Sequence, residues 1–379
     1  MRRLLPLLCG LLLAACGQRA ARPIGDFTLP VYTPRYASGF EITGAAGSRS
    51  TLVTVHNPWY GDEVTDQYLF IARDGEPAPA GFEGQVLRDE TRRVVCMSGS
   101  YIAMLDALGA ADRVVGVSGA QYLINETLRR RIARGEAADV GFDSNVDFER
   151  LMALRPDLVM LFGIGGADTA LTGKLRELGI PYLYMGEHCE ESPLGKSEWV
   201  VVAAEIAGLR TEGSRLFAAI PERYERLRAL AQQTAARPRV MLNTPYRDTW
   251  FMPARNSYMV RLLEDAGARY VFEENTATQT LPIDIEQAYY LTSKSDFWLN
   301  MSGCNTLDEV RRQNPRLADT PPVREGRVYD NNRRRNAAGG SDFWESGVLR
   351  PDRVLADLVH IFHPELSETD ELYYYRQLE

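Results

Sequence analysis

From residue 92 onward the chain alternates short apolar runs with amphipathic segments, and this alternation limits the possible fold more than any single residue does. "RRVVCMSG", "RVVGVSG", "DLVMLFG" and "IPYLYMGE" are near-continuous apolar runs of strand length. Between them "SYIAMLDALGA", "FERLMALR" and "TALTGKLRELG" space their apolar residues at helical intervals. Strands apolar on both sides need cover on both faces, and helical crossovers supply it, so the pattern predicts a parallel, doubly wound sheet. Residues 196–236 interrupt the alternation with almost no strand signal. Gly208 and Gly213 are expected to divide them into one helix and a longer charged one, with Pro221 early in the second. A second alternating half follows: "RVMLNTPY", "SYMVRLLEDAGA", "DIEQAYYLT", "DFWLNMSG", "TLDEVRRQNPRLAD", "GRVYDNN" and "RPDRVLADLVHIFHPEL". The fold class is therefore α/β, with lobes at 91–195 and 237–379 joined by a long helix within a bridge at 196–236. No Ser-, Gly- or Pro-rich run provides a loose hinge.

The first 90 residues differ in texture. "MRRLLPLLCGLLLAAC" combines two arginines, an apolar run too short to span a bilayer comfortably, and small residues before a cysteine. Leu13-Ala14-Ala15-Cys16 resembles a bacterial lipobox, so residues 1–16 are expected to be a signal peptide ending at Cys16, the lipidated residue. Residues 17–30 then form a tether. Residues 31–90 form a β-rich extension in which "STLVTVHNPW" and "DQYLFIARDG" are strand-like runs.

A net charge of −8 argues against nucleic-acid binding, which requires a clustered cationic face. The body retains Cys96, Cys189 and Cys304, whose spacing fits neither a disulfide framework nor a zinc knuckle. Cys96 and Cys304 lie in or beside apolar strands and are expected to be buried. Phosphate loops, H-E-x-x-H and G-x-S-x-G are absent, and "LFGIGGAD" lacks the third glycine of a dinucleotide turn. Of four histidines only His188 falls at a strand end. His360 and His363 are three apart at the end of the closing helix, where pairing and packing account for them.

Ligands of open parallel sheets bind outside the carboxyl ends of the strands. Here those ends read "MSGSY", "SGAQY", "FGIGG", "GEHCE", "NTPYRDTW", "NMSGCN" and "DNNRRRN". The mixture of Ser, Gly, Asn, Tyr and Trp suits a cleft that stacks on a large ligand and fixes it with a few hydrogen bonds. One of Arg333, Arg334 and Arg335 is suited to hold an anionic group. A further pattern occurs twice: "NVDFERLMALRPDLVML" and "PIDIEQAYYLTSKSDFWL" both open a helix with an Asp at the N-cap and a Glu in the first turn, which the helix dipole favours.

From "RRVVCMSGSYIAMLDALGAADRVVGVSG" through "VDFERLMALRPDLVMLFG" and the helical bridge to "REGRVYDNN" and "DFWESGVLRPDRVLADLVHIFHPEL", the chain resembles the periplasmic binding proteins of iron-siderophore, haem and vitamin B12 ABC importers. The resemblance implies a monomeric, lipid-anchored envelope protein that captures a bulky iron chelate or corrinoid between two lobes. Its partners would be the permease dimer with its ATPase subunits. It implies no covalent chemistry and no cofactor beyond the iron or cobalt that the ligand brings. It also implies that Glu149 and Glu286, one per lobe, dock to permease arginines. Strand-end position nominates Tyr101, Tyr122, Tyr246, Trp250, Arg255 and Arg333 for the ligand, with Tyr184 or Trp344 as additions. Two alternatives are a scavenging lipoprotein without a permease, and an enzyme acting on such a ligand through Cys189 and His188.

Overall fold

The computed structural model describes residues 21–59, 64–163, 169–246, 249–301, 303–367 and 369–379. Cys16 and most of the glycine-rich turn at 163–168 lie outside them.

Five strands open the chain in sequence order as one sheet: β1 (Leu29–Tyr32), β2 (Phe40–Gly44), β3 (Thr51–His56), β4 (Asp66–Ala72) and β5 (Gln85–Arg88). The first three pairings are antiparallel and β4–β5 is parallel. Successive side chains leave a strand on opposite faces, and here both faces are apolar. Ile42, Val53, Leu69 and Ile71 join the main core, while Leu52 and Phe70 meet Phe27 and Phe82 in a small core of their own.

The next nine elements are β6 (Val94–Cys96), α1 (Gly99–Ala107), β7 (Val114–Val117), α2 (Glu126–Ala133), β8 (Ala138–Asp139), α3 (Phe148–Leu154), β9 (Leu158–Phe162), α4 (Ala170–Glu177) and β10 (Tyr182–Met185). Their sheet is wholly parallel, in the order β10-β9-β6-β7-β8, so the winding reverses at β6. Val94, Cys96, Leu158 and Met160 face one core; Val95, Val159 and Leu161 face another, with Leu151 and Leu175. The edge strand β10 is not left open. The backbone N–H groups of Tyr182 and Tyr184 donate to Oε1 of Gln85 and Gln67 at 3.4 and 3.3 Å, both from the first sheet.

The bridge contains α5 (Pro193–Glu198), α6 (Val200–Ile206) and α7 (Arg210–Ala231). Gly208, at φ +67°, ends α6 as expected. Gly213 does not divide the segment; it lies inside α7, where a Cβ would stand 2.3 Å from that of Ala204. Its role is close packing of α7 on α6. Buried Pro221 also sits within α7, whose 22 residues extend about 33 Å.

The second lobe contains β11 (Arg239–Leu242), β12 (Pro245–Tyr246), β13 (Thr249–Met252), α8 (Tyr258–Asp265), β14 (Arg269–Tyr270), β15 (Leu281–Ile283), α9 (Ile285–Ser293) and β16 (Phe297–Leu299). It ends with α10 (Leu307–Gln313), α11 (Pro321–Arg324), β17 (Val328–Asp330), α12 (Ser346–Leu349), α13 (Pro351–Phe362) and β18 (Arg376–Gln377). The main sheet runs β14-β11-β16-β17-β18, parallel except for β18. "RVMLNTPY" is not one strand: Asn243, at φ +66°, turns the chain out of β11 into a small antiparallel sheet of β12, β13 and β15.

Three buried carboxylates fasten the first sheet and its connections to the bridge. Glu198 accepts from the Tyr32 hydroxyl and from the backbone N–H groups of Arg35, Tyr36 and Ala37, all at 2.7–2.8 Å. Glu190 accepts from the N–H groups of Ser38 and Gly39 and from the Trp199 indole. Glu205 accepts from Thr51, Arg73 and Arg210. Burial alone would raise the Glu205 carboxyl, but the Arg210 and Thr51 bonds and the charges of Arg210 and Arg73 outweigh it and hold it below the ordinary value of 4.5. Glu198→Ala, which strands four donors, should cost about 3–5 kcal/mol, read as a lower denaturation midpoint. The deficit of Glu205→Gln against wild type should be full above pH 4.5 and close as pH falls through the depressed value, because protonation removes the same stabilisation from wild type.

Candidate ligand cleft between the lobes

The carboxyl ends of the two parallel sheets lead into loops that meet across the lobe boundary. Residues 331–346, after β17, lie against residues 119–125, after β7. The Glu345 carboxylate accepts from the N–H groups of Ile124 at 2.9 Å and Asn125 at 2.6 Å. The Asn336 side-chain amide donates to the carbonyls of Gln121 and Leu123 at 2.9 and 3.1 Å. Gly340 is pressed onto the Tyr122 carbonyl so closely that a Cβ would come within 1.7 Å of the oxygen. Further along the boundary, Asn256 donates to Glu191, and the Lys196 ammonium lies 4.5 Å above the Tyr258 ring.

The sequence-nominated aromatics separate by burial. Tyr101 is 0% exposed, with its hydroxyl donating to the Leu161 carbonyl, and Trp250 is 1% exposed, stacked on Trp298 with its indole donating to the Leu242 carbonyl. Both are core residues, a correction to their nomination; Tyr184 is buried too. Each was chosen for its place beside a strand end, which does not fix on which side of the sheet the ring falls. Tyr122 is 44% exposed and Tyr246 66% exposed, and Trp344 is exposed beside Phe343. Phe142, which the sequence reading missed, stands 6.3 Å from Tyr122. Beside this pair a concavity of about 350 Å³ opens at the ends of β7 and β8, lined in part by Gln121, Asp139, Asn145 and Arg150.

The nominated arginines are held by neighbours. Arg255 is ion-paired with Glu264, Arg333 with Glu371 at 3.2 Å, and Arg334 with Asp342 at 2.6 Å. Arg335 is exposed and makes no ion pair among the described residues.

The repeated acidic helix start has the same geometry in both lobes. Asp147 caps α3 by accepting from the Arg150 N–H, and Asp284 caps α9 by accepting from the Gln287 N–H, at 2.9 and 2.8 Å. Glu149 and Glu286 follow at the second helical position, both exposed, and Glu286 lies 3.6 Å from Arg316.

His188 is largely buried, with Nε2 2.8 Å from the Gly163 carbonyl and Nδ1 4.0 Å from the Glu187 carboxylate. Burial would lower its pKa, but bonding to Cys189 and Glu187 raises it to about 9. Cys96 and Cys304 are buried, as expected.

Sequence reasoning also missed Glu345, because a Glu in "DFWESG" carries no periodic or motif signal. Burial chiefly, with the nearby charges of Asp342 and Asp106, pushes its carboxyl up to about 7 against the pull of the two amides. A raised carboxyl contributes stability that is full below the ordinary 4.5 and lost as pH rises through about 7. The melting temperature of Glu345→Gln should therefore gain on wild type between pH 4.5 and 7 and keep a constant offset above that range.

The sequence profile of the periplasmic binding protein family matches residues 94–333. Two uncharacterized lipoproteins of Methanocaldococcus jannaschii are similar: one is 25% identical over 332 residues (82% of this chain, 77% of the relative), the other 23% over 331 (83% and 81%). Among solved structures, a periplasmic heme-binding protein from Pseudomonas aeruginosa superposes with a TM-score of 0.58 at 20% identity, covering 76% of this chain and 98% of that one. A structure of an ABC-type Fe3+-hydroxamate transport system from Saccharomonospora viridis gives 0.54 at 17% identity, covering 72% and 94%. With the profile spanning well over half its length and both lobes built as described, the chain belongs to the periplasmic binding protein family.

Proposed function

We propose that this is the substrate-binding lipoprotein of an ABC importer, anchored through Cys16, and that it captures a bulky iron chelate (a ferric siderophore or haem) or a corrinoid between its lobes for delivery to the permease. The observation that carries this reading is the placing of exposed aromatic rings beyond the carboxyl ends of the parallel strands: Tyr122 and Phe142 after β7 and β8 of one lobe, and Tyr246 in β12, which follows β11 of the other. Broad flat ligands are held by such faces. The names of the similar structures, heme-binding and Fe3+-hydroxamate transport, support the same ligand class. Three histidines have other settings: His56 pairs with Asp66, and His360 and His363 bond at the end of α13 to Ser367 and the Gly267 carbonyl. A metal carried inside its own chelate needs none of them. The similar structures are named for binding and transport, which supports a chain that acts by binding.

Glu149 and Glu286 stand once per lobe in matching exposed settings, as two contacts with a pseudo-symmetric permease dimer require. Purified protein titrated with haemin, a ferric hydroxamate and cyanocobalamin should show saturable quenching of tryptophan fluorescence by one of them. Tyr122→Ala and Tyr246→Ala should each weaken that binding about 3- to 10-fold, the worth of one aromatic contact. If none of the three ligands saturates, the ligand class is wrong. Glu149→Ala with Glu286→Ala should abolish uptake in cells while leaving solution affinity unchanged; full uptake by the double variant would remove the docking role.

A further inference from the structure

Tyr122 stands on a loop of the N-terminal lobe, residues 119–125, whose middle is held from the other lobe. Within its own lobe, Asp139 accepts from the N–H groups of Gly119 and Ala120 at 3.2 and 2.7 Å, and the Asn125 side-chain amide donates to Asp106 at 2.7 Å. Between these anchors five successive residues offer backbone groups to the C-terminal lobe. The carbonyls of Gln121 and Leu123, on either side of Tyr122, accept from the Asn336 amide. The Tyr122 carbonyl lies against Gly340, where no side chain fits, and the N–H groups of Ile124 and Asn125 donate to Glu345. The gripping segment is itself tied down. The Asn336 side-chain oxygen accepts from the N–H groups of Ala338 and Gly340 at 3.1 and 2.9 Å, and the Asn336 N–H donates to the Gly340 carbonyl at 3.0 Å. With that oxygen occupied inside the turn, the amide presents only its two N–H donors to the other lobe. At the far end the Asp342 carbonyl accepts from the N–H groups of Glu345 and Gly347, and the Asp342 carboxylate is paired with Arg334.

These contacts bear on the ring as well as on the backbone. Both peptide groups that flank the Tyr122 Cα carry a contact from the opposite lobe, which fixes the direction in which the side chain leaves the chain. Gly119, at φ +64°, leaves the space that the rings of Tyr122 and Phe142 border: a Cβ there would stand 3.2 Å from the first and 2.8 Å from the second. A tyrosine ring has two side-chain torsions, the first confined to staggered wells, so a fixed backbone with one side bounded leaves few ring positions. On the reading of Tyr122 as a ligand contact, we propose that Asn336, Gly340 and Glu345 form an interlobe clasp that positions the Tyr122 ring, so that the C-terminal lobe tunes affinity at a contact made by the N-terminal one. The three are positioning residues, acting through Tyr122.

The setting of the ring is read without any ligand, by fluorine NMR of the full chain labelled with meta-fluorotyrosine, the Tyr122 resonance being the one lost in Tyr122→Phe. That resonance should shift in Asn336→Ala, which removes both donors without adding bulk, and in Gly340→Ala; Glu345→Gln replaces the latter if it folds poorly. Asn256→Ala cuts the bond to Glu191 elsewhere on the lobe boundary and should leave the resonance in place. An unmoved resonance in the clasp variants, or an equal shift in Asn256→Ala, overturns the proposal. Affinity is then measured by fluorescence quenching with whichever of haemin, a ferric hydroxamate and cyanocobalamin saturates the wild-type protein. Asn336→Ala should weaken it by about 3- to 10-fold, no more than Tyr122→Ala does, and should add nothing in the Tyr122→Ala background. Full affinity beside a shifted resonance, or losses that multiply in the double variant, overturns the part of the clasp in binding. Saturation by none of the three removes the ligand class instead, and the NMR result alone then decides whether the clasp positions the ring.

Discussion

The architecture depends on a few buried carboxylates that accept bonds from chain segments far away in sequence. Glu190, Glu198 and Glu205 are spaced along one stretch of bridge and turn, and each collects donors from residues 32–73. A buried carboxylate is tolerated only where its oxygens are satisfied, so each demands that the first sheet and its connections be present and in register. The apolar contacts of Ile42, Val53 and Leu69 give the attachment its energy without giving it direction. The acids supply the direction. Glu198, bonded to three consecutive backbone N–H groups, ties that stretch of chain in one register.

The lobe boundary uses the same device at lower cost. Glu345 accepts two backbone amides, as Glu198 accepts three, and burial with the nearby charges of Asp342 and Asp106 raises its carboxyl to about 7. Glu205 in the bridge shifts the other way, held low by Arg210 and Thr51. Between the lobes, Gly213 of α7 packs closely against Ala204 of α6.

Much of this was legible in the sequence, and what was missed follows a rule. Strands such as "LVMLF" are apolar at every position, which a sheet covered on both faces explains, and the parallel topology followed from that. The acidic helix starts at Asp147 and Asp284 were legible because capping is local chemistry. Gly213 was misread because a helix-breaking tendency is local, whereas its close approach to α6 is tertiary. Tyr101 and Trp250 were misplaced for a similar reason: position along a strand end says nothing of which way a ring turns, and both found backbone carbonyls inside the core. Glu345 and the short strands β14, β15 and β18 left no periodic mark, because each is defined by what it meets rather than by its own composition.

The two glutamines at the rim of the first sheet matter to where the chain can be cut. Gln67 and Gln85 occupy the outer edge of β10, where an uncovered strand would offer its amides to any passing chain. The alternating lobe beginning near residue 92 looks complete as a pattern, yet separated from the preceding residues it would carry a sticky margin able to template assembly with copies of itself. The extension thus covers an edge that the alternating lobe by itself leaves open. A truncation at the apparent repeat boundary would remove the two side chains that cover the β10 edge.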